Sequence, residues 1–130
     1  MQLFVDRAIT VEQLADVYRR SGINRPVDDL PRMRLMAENA NLFVSAWEGD
    51  QLIGVARCFA DYGWVCYLSD LAVDRAVQRS GVGRALISRI QEHIGPRCQL
   101  ILLSAPGAMG YYPKVGFKPA SHAWFIPRVE

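Results

Sequence analysis

No apolar run in the 130-residue sequence approaches the roughly 18 residues that a membrane-crossing helix needs, so no membrane span is expected. The N-terminal stretch Met1–Arg7 has neither a basic leader nor an apolar signal core, and the expected location is cytoplasmic. Cysteine and histidine are scarce. Cys58, Cys66 and Cys98 are odd in number and widely spaced, none forms C-x-x-C, and His93 and His122 lie far from any cysteine pair. This excludes a disulfide frame and a zinc site, and predicts buried, reduced thiols with no metal. Net charge is also small, at +2. Its fifteen Lys and Arg residues are scattered, with no block of five or six and no basic stripe interleaved with aromatics. A nucleic-acid partner is therefore disfavoured. There is no internal repeat, linker or low-complexity stretch. Residues 1–130 read as one domain, able to bury roughly two-thirds of the surface its unfolded chain exposes.

What is present is a mixed pattern of helices and strands. Gln2–Val5 is a short apolar strand. Thr10 and Gln13 form a capping-box pair, Leu14, Val17 and Tyr18 follow at helical spacing, and Gly22 ends that helix. Asp28, Asp29 and Pro31 open a second helix with Met33, Met36, Ala37 and Ala40 on its apolar face. Leu42–Glu48 and Gln51–Phe59 flank a Gly49–Asp50 turn as an antiparallel pair, and Trp64–Val73 is a third strand of this middle section. A helix from about Gly81 to His93 carries Val82, Ala85, Leu86, Ile90 and Ile94 on one face, and Gly95-Pro96 stops it. Gln99–Leu103 reads as a buried central strand. Ala108–Val115 reads as a brief helix strained by Pro113, and Phe117–Ile126 as one or two final strands. The order β-α-α-β-β-β-α-β-α-β(β) is an α/β chain with a mixed sheet, an antiparallel middle and one β-α-β crossover.

Chemistry concentrates where the third middle strand meets the next helix. Gln78, Arg79, Gly81 and Gly83 stand between Val73 and that helix. Glycines at a helix start let backbone N–H groups approach an anion closely, and arginine adds charge, which suits a pyrophosphate. A glycine-rich cap with no ligand explains the same spacing. The P-loop pattern G-x-x-x-x-G-K-[ST] is absent. The dinucleotide fingerprint fails because Leu86 holds the third glycine position and no acid follows at the expected distance. These failures exclude an NTPase and a dehydrogenase.

Gln78-Arg79-Ser80-Gly81-Val82-Gly83 resembles the Q/R-x-x-G-x-G/A acetyl-CoA motif of the GNAT N-acetyltransferase superfamily, and Tyr111-Tyr112-Pro113-Lys114-Val115-Gly116-Phe117 resembles its F/Y-Y-x-x-x-G-F signature. The element order agrees across essentially the whole chain. The resemblance implies the GNAT fold, acetyl-CoA as co-substrate and direct acetyl transfer to an amine. It implies a bulged strand splayed from its neighbour, with main-chain groups of Leu71, Ala72 and Val73 along the pantetheine arm. It implies that residues from Gln78 through Arg79, Ser80, Gly81, Val82 and Gly83 to Arg84 surround the pyrophosphate. Ser104 stands where relatives place an asparagine that bonds pantetheine. Tyr112 matches the general acid that meets the leaving thiolate; a phenol, at about pKa 10, lies in the range of a thiol. The position where many relatives carry a basic glutamate is Tyr67 here. Asp70 is the only acid within the strand proper, and is expected either as the base, directly or through water, or as a cap of the following turn. Deprotonation through water and carbonyls with no single base also fits.

The remaining expectations concern the acceptor. The resemblance assigns it to the segments Tyr18–Leu35 and Ala120–Ile126. Arginines at 19, 20, 25, 32 and 34 against Asp28 and Asp29 slightly favour a neutral or carboxylate-bearing amine over a polycation, and solvated helix faces explain the same arginines. Trp64, Trp124, Tyr18 and Tyr62 are candidates for an aromatic pocket, or for core and dimer contacts. His122 reads as a surface or packing histidine, and Cys66 as a small buried hydrophobe. The overall expectation is an N-acetyltransferase of a small-molecule primary amine. A non-catalytic acyl-CoA sensor and a protein lysine or N-terminal acetyltransferase are the alternatives, and a homodimer is plausible.

Overall fold

A computed structural model describes all 130 residues. Local signals set the first half closely. Strand β1 is Gln2–Val5, and helix α1 is Val11–Ser21. The capping box before α1 is complete: the Thr10 hydroxyl accepts from the Gln13 amide at 3.0 Å, and the Gln13 side chain accepts from the Thr10 amide at 2.9 Å. Gly22 closes the helix at φ +81°, a left-handed value that suits glycine. Helix α2, Leu30–Asn39, starts on Asp29, whose carboxylate accepts from the Arg32 amide, with Pro31 in the first turn. Strands β2 (Leu42–Glu48), β3 (Gln51–Ala60) and β4 (Val65–Val73) then run antiparallel. Helix α3, Val82–Ile94, crosses over to β5, Gln99–Ile101, which lies parallel to β4. The sheet order is β1-β2-β3-β4-β5.

Each face of the sheet carries its own core. On one face α3 buries Leu86, Ile87 and Ile90 against Leu42 and Val44 of β2, Cys58 of β3 and Leu68 of β4. On the other, α1 and α2 bury Leu14, Val17, Tyr18 and Met33 against Trp47, Val55 and Ala72. The switch between faces on β4 comes from a bulge. Cys58 pairs with Leu68 but Arg57 pairs with Asp70, so Ser69 is an extra residue on β4. Strand side chains alternate, so one extra residue reverses the facing of all that follow. Cys66 and Leu68 therefore enter the α3 core, whereas Asp70 and Ala72 face α1 and α2.

The second half departs from expectation at its end. The helix expected over Ala108–Val115 does not form. Two short 3₁₀ turns stand there instead, Pro106–Ala108 and Tyr112–Val115. The segment contains Pro106, Gly107, Gly110, Pro113 and Gly116, too many breakers for an α-helix to propagate. The strands expected within Phe117–Ile126 are also missing, and Trp124 is 93% exposed. Pro119 interrupts that run and Pro127 follows it directly, and each lacks a ladder donor. Strand β5 is consequently the sheet edge, three residues long, rather than a buried central strand.

Gly54 on β3 sets how closely α3 lies on the sheet: a Cβ there would stand 2.9 Å from Val82 Cγ1 and 3.3 Å from Leu86 Cδ1. Gly54→Ala is expected to lower unfolding free energy by about 1–3 kcal/mol through overpacking. Urea denaturation measures it, and an unchanged midpoint would show that α3 lifts freely.

Candidate active site

Pairing between β4 and β5 covers only Val65, Cys66 and Tyr67 against Gln99, Leu100 and Ile101. Beyond Tyr67 the two strands part at the Ser69 bulge, and a gap opens along the remainder of β4. The ladder on β3 decides which main-chain groups face it. The Asp74 amide donates to Ile53 O at 2.9 Å. Counting back in twos, Ala72 and Asp70 spend their main-chain groups on β3, while those of Leu71 and Val73 turn away from it. Ala72 is moreover buried against α1. Leu71 and Val73 thus line the gap, and Ala72 supports them from behind.

The gap leads to the first turn of α3. A short 3₁₀ turn at Arg75–Val77 brings the chain round. Arg79 then takes φ +68° and Gly81 φ +90°. No side chain caps α3, and Ala85 is the first residue bonded back to Gly81 O. The amides of Val82, Gly83 and Arg84 have no intrahelical acceptor, as at any helix start, and carry the positive end of the helix dipole. Gln78 and Ser80 shape this turn from within. The Gln78 amide donates to Val73 O at 2.9 Å, and the Ser80 hydroxyl donates to Val77 O. Arg84 donates to Lys114 O at 3.1 Å. A Cβ at Gly83 would come 2.6 Å from the Tyr111 hydroxyl, so glycine there lets the segment after β5 close over α3.

Asp70 lies at the head of the gap, 1% exposed. Its carboxylate accepts from Tyr18 Oη at 2.5 Å, Arg57 Nε at 2.5 Å and Arg25 Nε at 2.6 Å. These donors come from α1, β3 and the α1–α2 loop. Burial opposes its charge. The Arg57 hydrogen bond and charge, the Tyr18 hydroxyl and the Arg25 charge outweigh that cost and hold the carboxyl below its ordinary range. Tyr18 moves the other way, raised well above the usual phenol value by burial and by the Asp70 charge. A carboxylate this fully occupied and this acidic is poorly suited to take a proton. The expectation of Asp70 as base gives way to that of an anchor. Its alternative role as cap of the following turn belongs to Asp74, which accepts from the Ala76 amide at 3.0 Å and pairs with Arg20.

Tyr112 begins the second 3₁₀ turn, edge-on between Tyr111 and Phe117 at centroid distances of 5.2 and 5.5 Å. Burial raises its phenol, Tyr111 adds to the rise, and the Arg25 charge counts against it. Tyr112 therefore stays protonated at neutral pH, within electrostatic reach of Arg25. Ser104 is half-buried just past β5. The aromatic acceptor pocket does not assemble. Tyr18 is fully buried on Asp70, Tyr62 packs edge-on to His93, and Trp64 and Trp124 are exposed. His122 is exposed, and Cys66 is fully buried, as is Cys58, whose thiol the neighbouring Cys66 and burial push up. No three His, Cys, Asp or Glu side chains converge as metal ligands would, and no helix is long and apolar enough to cross a membrane.

Sequence reasoning passed over Arg57 and did not separate Arg25 from its neighbouring arginines. A signal existed for the first. Arg57 is the one charged residue in the otherwise apolar run Leu52–Ala60, and Asp70 is the one charged residue in Val65–Val73. Opposite lone charges on adjacent buried strands call for each other.

Comparison with known proteins shows the family and the fold. A family model described as an acetyltransferase (GNAT) domain matches residues 13–124. A curated relative, GCN5-related N-acetyltransferase 1, chloroplastic, from Arabidopsis thaliana, is 26% identical over 84% of this chain and 56% of its own length. The chain spans between half and two-thirds of the length of the curated relatives it matches. Among solved structures, a protein of unknown function from meticillin-resistant Staphylococcus aureus, described as a probable acetyltransferase, superposes with TM-score 0.79 at 22% identity, covering 98% of this chain and 100% of that one. An aminoglycoside N-acetyltransferase, AAC(6′)-Iy, solved in complex with CoA, gives 0.71 at 16% identity over 98% and 95%.

The Asp70 cluster has a stability signature. Its folded carboxyl titrates below the unfolded value of about 3.9, so its stabilisation is complete above that pH and is lost as pH falls through the folded pKa. Asp70→Asn strands two arginines and is expected to cost about 3–5 kcal/mol at pH 7. Thermal unfolding between acid and neutral pH checks this. The variant should also show the flatter acid limb.

Proposed function

The chain belongs to the GNAT acetyltransferase family, and from that membership we propose that it moves an acetyl group directly from acetyl-CoA to a primary amine of a small molecule. The observation that carries this reading is the continuity of the site. The gap between β4 and β5 runs from the Ser69 bulge to the uncapped first turn of α3. From Ser69 to Val73 is four residues, about 13 Å of strand, a length suited to an extended arm ending in a phosphate. The CoA held by the aminoglycoside N-acetyltransferase neighbour supports an acyl-CoA donor.

Each residue then has a physical task. Leu71 offers its main-chain groups and Val73 its N–H to the pantetheine arm, as an added strand would use them, the Val73 carbonyl being taken by Gln78. The amides of Val82, Gly83 and Arg84 face the pyrophosphate, where the helix dipole favours an anion by roughly 0.3–2 kcal/mol. Arg79 and Arg84 add charge, Gln78, Ser80 and Gly81 hold the turn, Ala72 backs the strand, and Ser104 flanks the arm after β5. The neutral amine attacks the thioester carbonyl. A C–N bond forms, the C–S bond breaks, and the Tyr112 hydroxyl gives its proton to the departing sulfur. A phenol near 10 is above a thiol near 8.5, so the Arg25 charge helps by opposing the rise that burial imposes on Tyr112. Asp70 positions Arg25 and the bulge, and the ammonium proton leaves through water. Residues 1–130 act as one domain in this reading.

Incubating the protein with acetyl-CoA and a broad panel of amines, with release of free thiol as the readout, tests the reading. Amine-dependent release is expected, and Tyr112→Phe should lower kcat by about a hundredfold, the scale of a lost general acid. Tight calorimetric binding of acetyl-CoA with no amine turned over would favour a sensor. Turnover confined to peptide lysines or N-termini would move the acceptor to proteins.

A further inference from the structure

The α1–α2 loop places one side chain at the head of the gap. Arg25 donates from Nε to Asp70 at 2.6 Å, from Nη2 to Ser69 O at 3.0 Å and from Nη1 to Asn24 O at 2.7 Å. Ser69 is the bulge residue, so the guanidinium sits where β4 leaves β5. A guanidinium has five N–H donors. Three are used here, and one remains on each terminal nitrogen. The side chain is 29% exposed, whereas Arg57 beside it is 7% exposed and bonds Asp70, Met36 O and Ser69 Oγ. Arg25 is thus rigidly held and still has a pair of donors to give.

The charge balance says what those donors want. Arg25 and Arg57 face a single carboxylate, Asp70, which leaves one positive charge in excess at the head of the gap. Tyr18 remains neutral and cannot offset it. Of the two acids of this loop, Asp28 pairs with Arg19 at 3.2 Å on the exposed surface, and Asp29 caps α2 by accepting from the Arg32 amide. The carboxylates of this strand and this loop are thus each engaged, Asp70 by two arginines, and none of them is a free partner for a second ammonium group. A cationic acceptor meets repulsion, while an acceptor carrying an anion neutralises the excess.

Building on the acetyl-transfer reading, we propose that the acceptor is a small amino carboxylate, whose carboxylate is held by the two remaining N–H groups of Arg25 while its amine faces the thioester. The planar fork suits a carboxylate in two-point contact. The donors already bound to Asp70, Ser69 and Asn24 remove most of the entropy cost of holding it still.

The test uses matched pairs at saturating acetyl-CoA: phenylalanine against phenethylamine, leucine against isoamylamine, lysine against cadaverine. The carboxylated member is expected to have a kcat/KM at least about tenfold higher, carried mainly by KM, as one charge-assisted contact implies. Arg25→Gln should collapse that ratio towards one, and Arg25→Lys, which keeps the charge but loses the fork, should restore only part of it. Circular dichroism establishes that each variant is folded, and the lysine variant serves if the glutamine one is not. Calorimetric titration of the same pairs gives a readout independent of turnover. Binding that depends on the carboxylate and on Arg25 supports the assignment even if no amine is acetylated, in which case the acetyl-transfer reading is what fails. Equal turnover of both members, or preference for the decarboxylated amines, overturns the assignment and leaves acetyl transfer standing. Equal binding of both members overturns it as well.

Discussion

A single buried carboxylate organises the head of this molecule. Asp70 is out of water, and an unpaired charge there would cost several kcal/mol. Its three strong donors must therefore be brought to it, from α1, from the α1–α2 loop and from β3. Each donor fixes one element. Tyr18 sets the height of α1 above the sheet, Arg57 locks β3 to β4 beyond their backbone ladder, and Arg25 fixes a loop whose Ile23 and Val27 pack against the α1–α2 core. A hydrophobic contact would tolerate sliding. Three short charge-assisted or hydroxyl bonds to two oxygens do not.

That carboxylate faces α1 only because of the bulge. Were Ser69 paired as an ordinary strand residue, Asp70 would share the facing of Leu68 and point into the apolar core under α3. The bulge therefore reconciles a sheet buried on both faces with a polar cluster on one of them. It also ends the pairing with β5 and leaves Leu71 and Val73 with outward main-chain groups. Anchor and gap are two consequences of one inserted residue, which is why the polar cluster stands at the gap's head rather than elsewhere on the sheet.

Much of the fold was legible because its signals are short-range. The Thr10–Gln13 capping box, Gly22, the Asp29 cap with Pro31, the Gly49–Asp50 turn and the alternation of Leu42–Glu48 each act within a few residues. They set β1, α1, α2 and β2 with little ambiguity. The glycines at 81 and 83 and the Tyr111–Phe117 pattern were equally local, and matched a family whose model covers most of the chain. The segment after β5 was misread for a related reason. A helical reading of Ala108–Val115 and a strand reading of the tail weighed apolar spacing above Pro106, Gly107, Gly110, Pro113 and Pro119, and those breakers prevailed. A short run such as Gln99–Leu103 looks central whenever it is apolar, and only the presence or absence of a further strand decides whether it is an edge.

The sequence by itself determined the element types from β1 through α3, the glycine turn ahead of α3 and the family, because period, caps and motif spacing are properties of neighbouring residues. The tertiary structure decided the rest. It turned Asp70 from a candidate base into an anchor, buried Tyr18 instead of offering it to an acceptor, and singled out Arg25 from five arginines in one segment. Those roles depend on register between β3 and β4, on one bulge and on the descent of a loop. The partners lie 13, 45 and 52 residues from Asp70 along the chain. No local pattern reports a contact at that separation; only the packed sheet, with its low dielectric and its scarce donors, selects it.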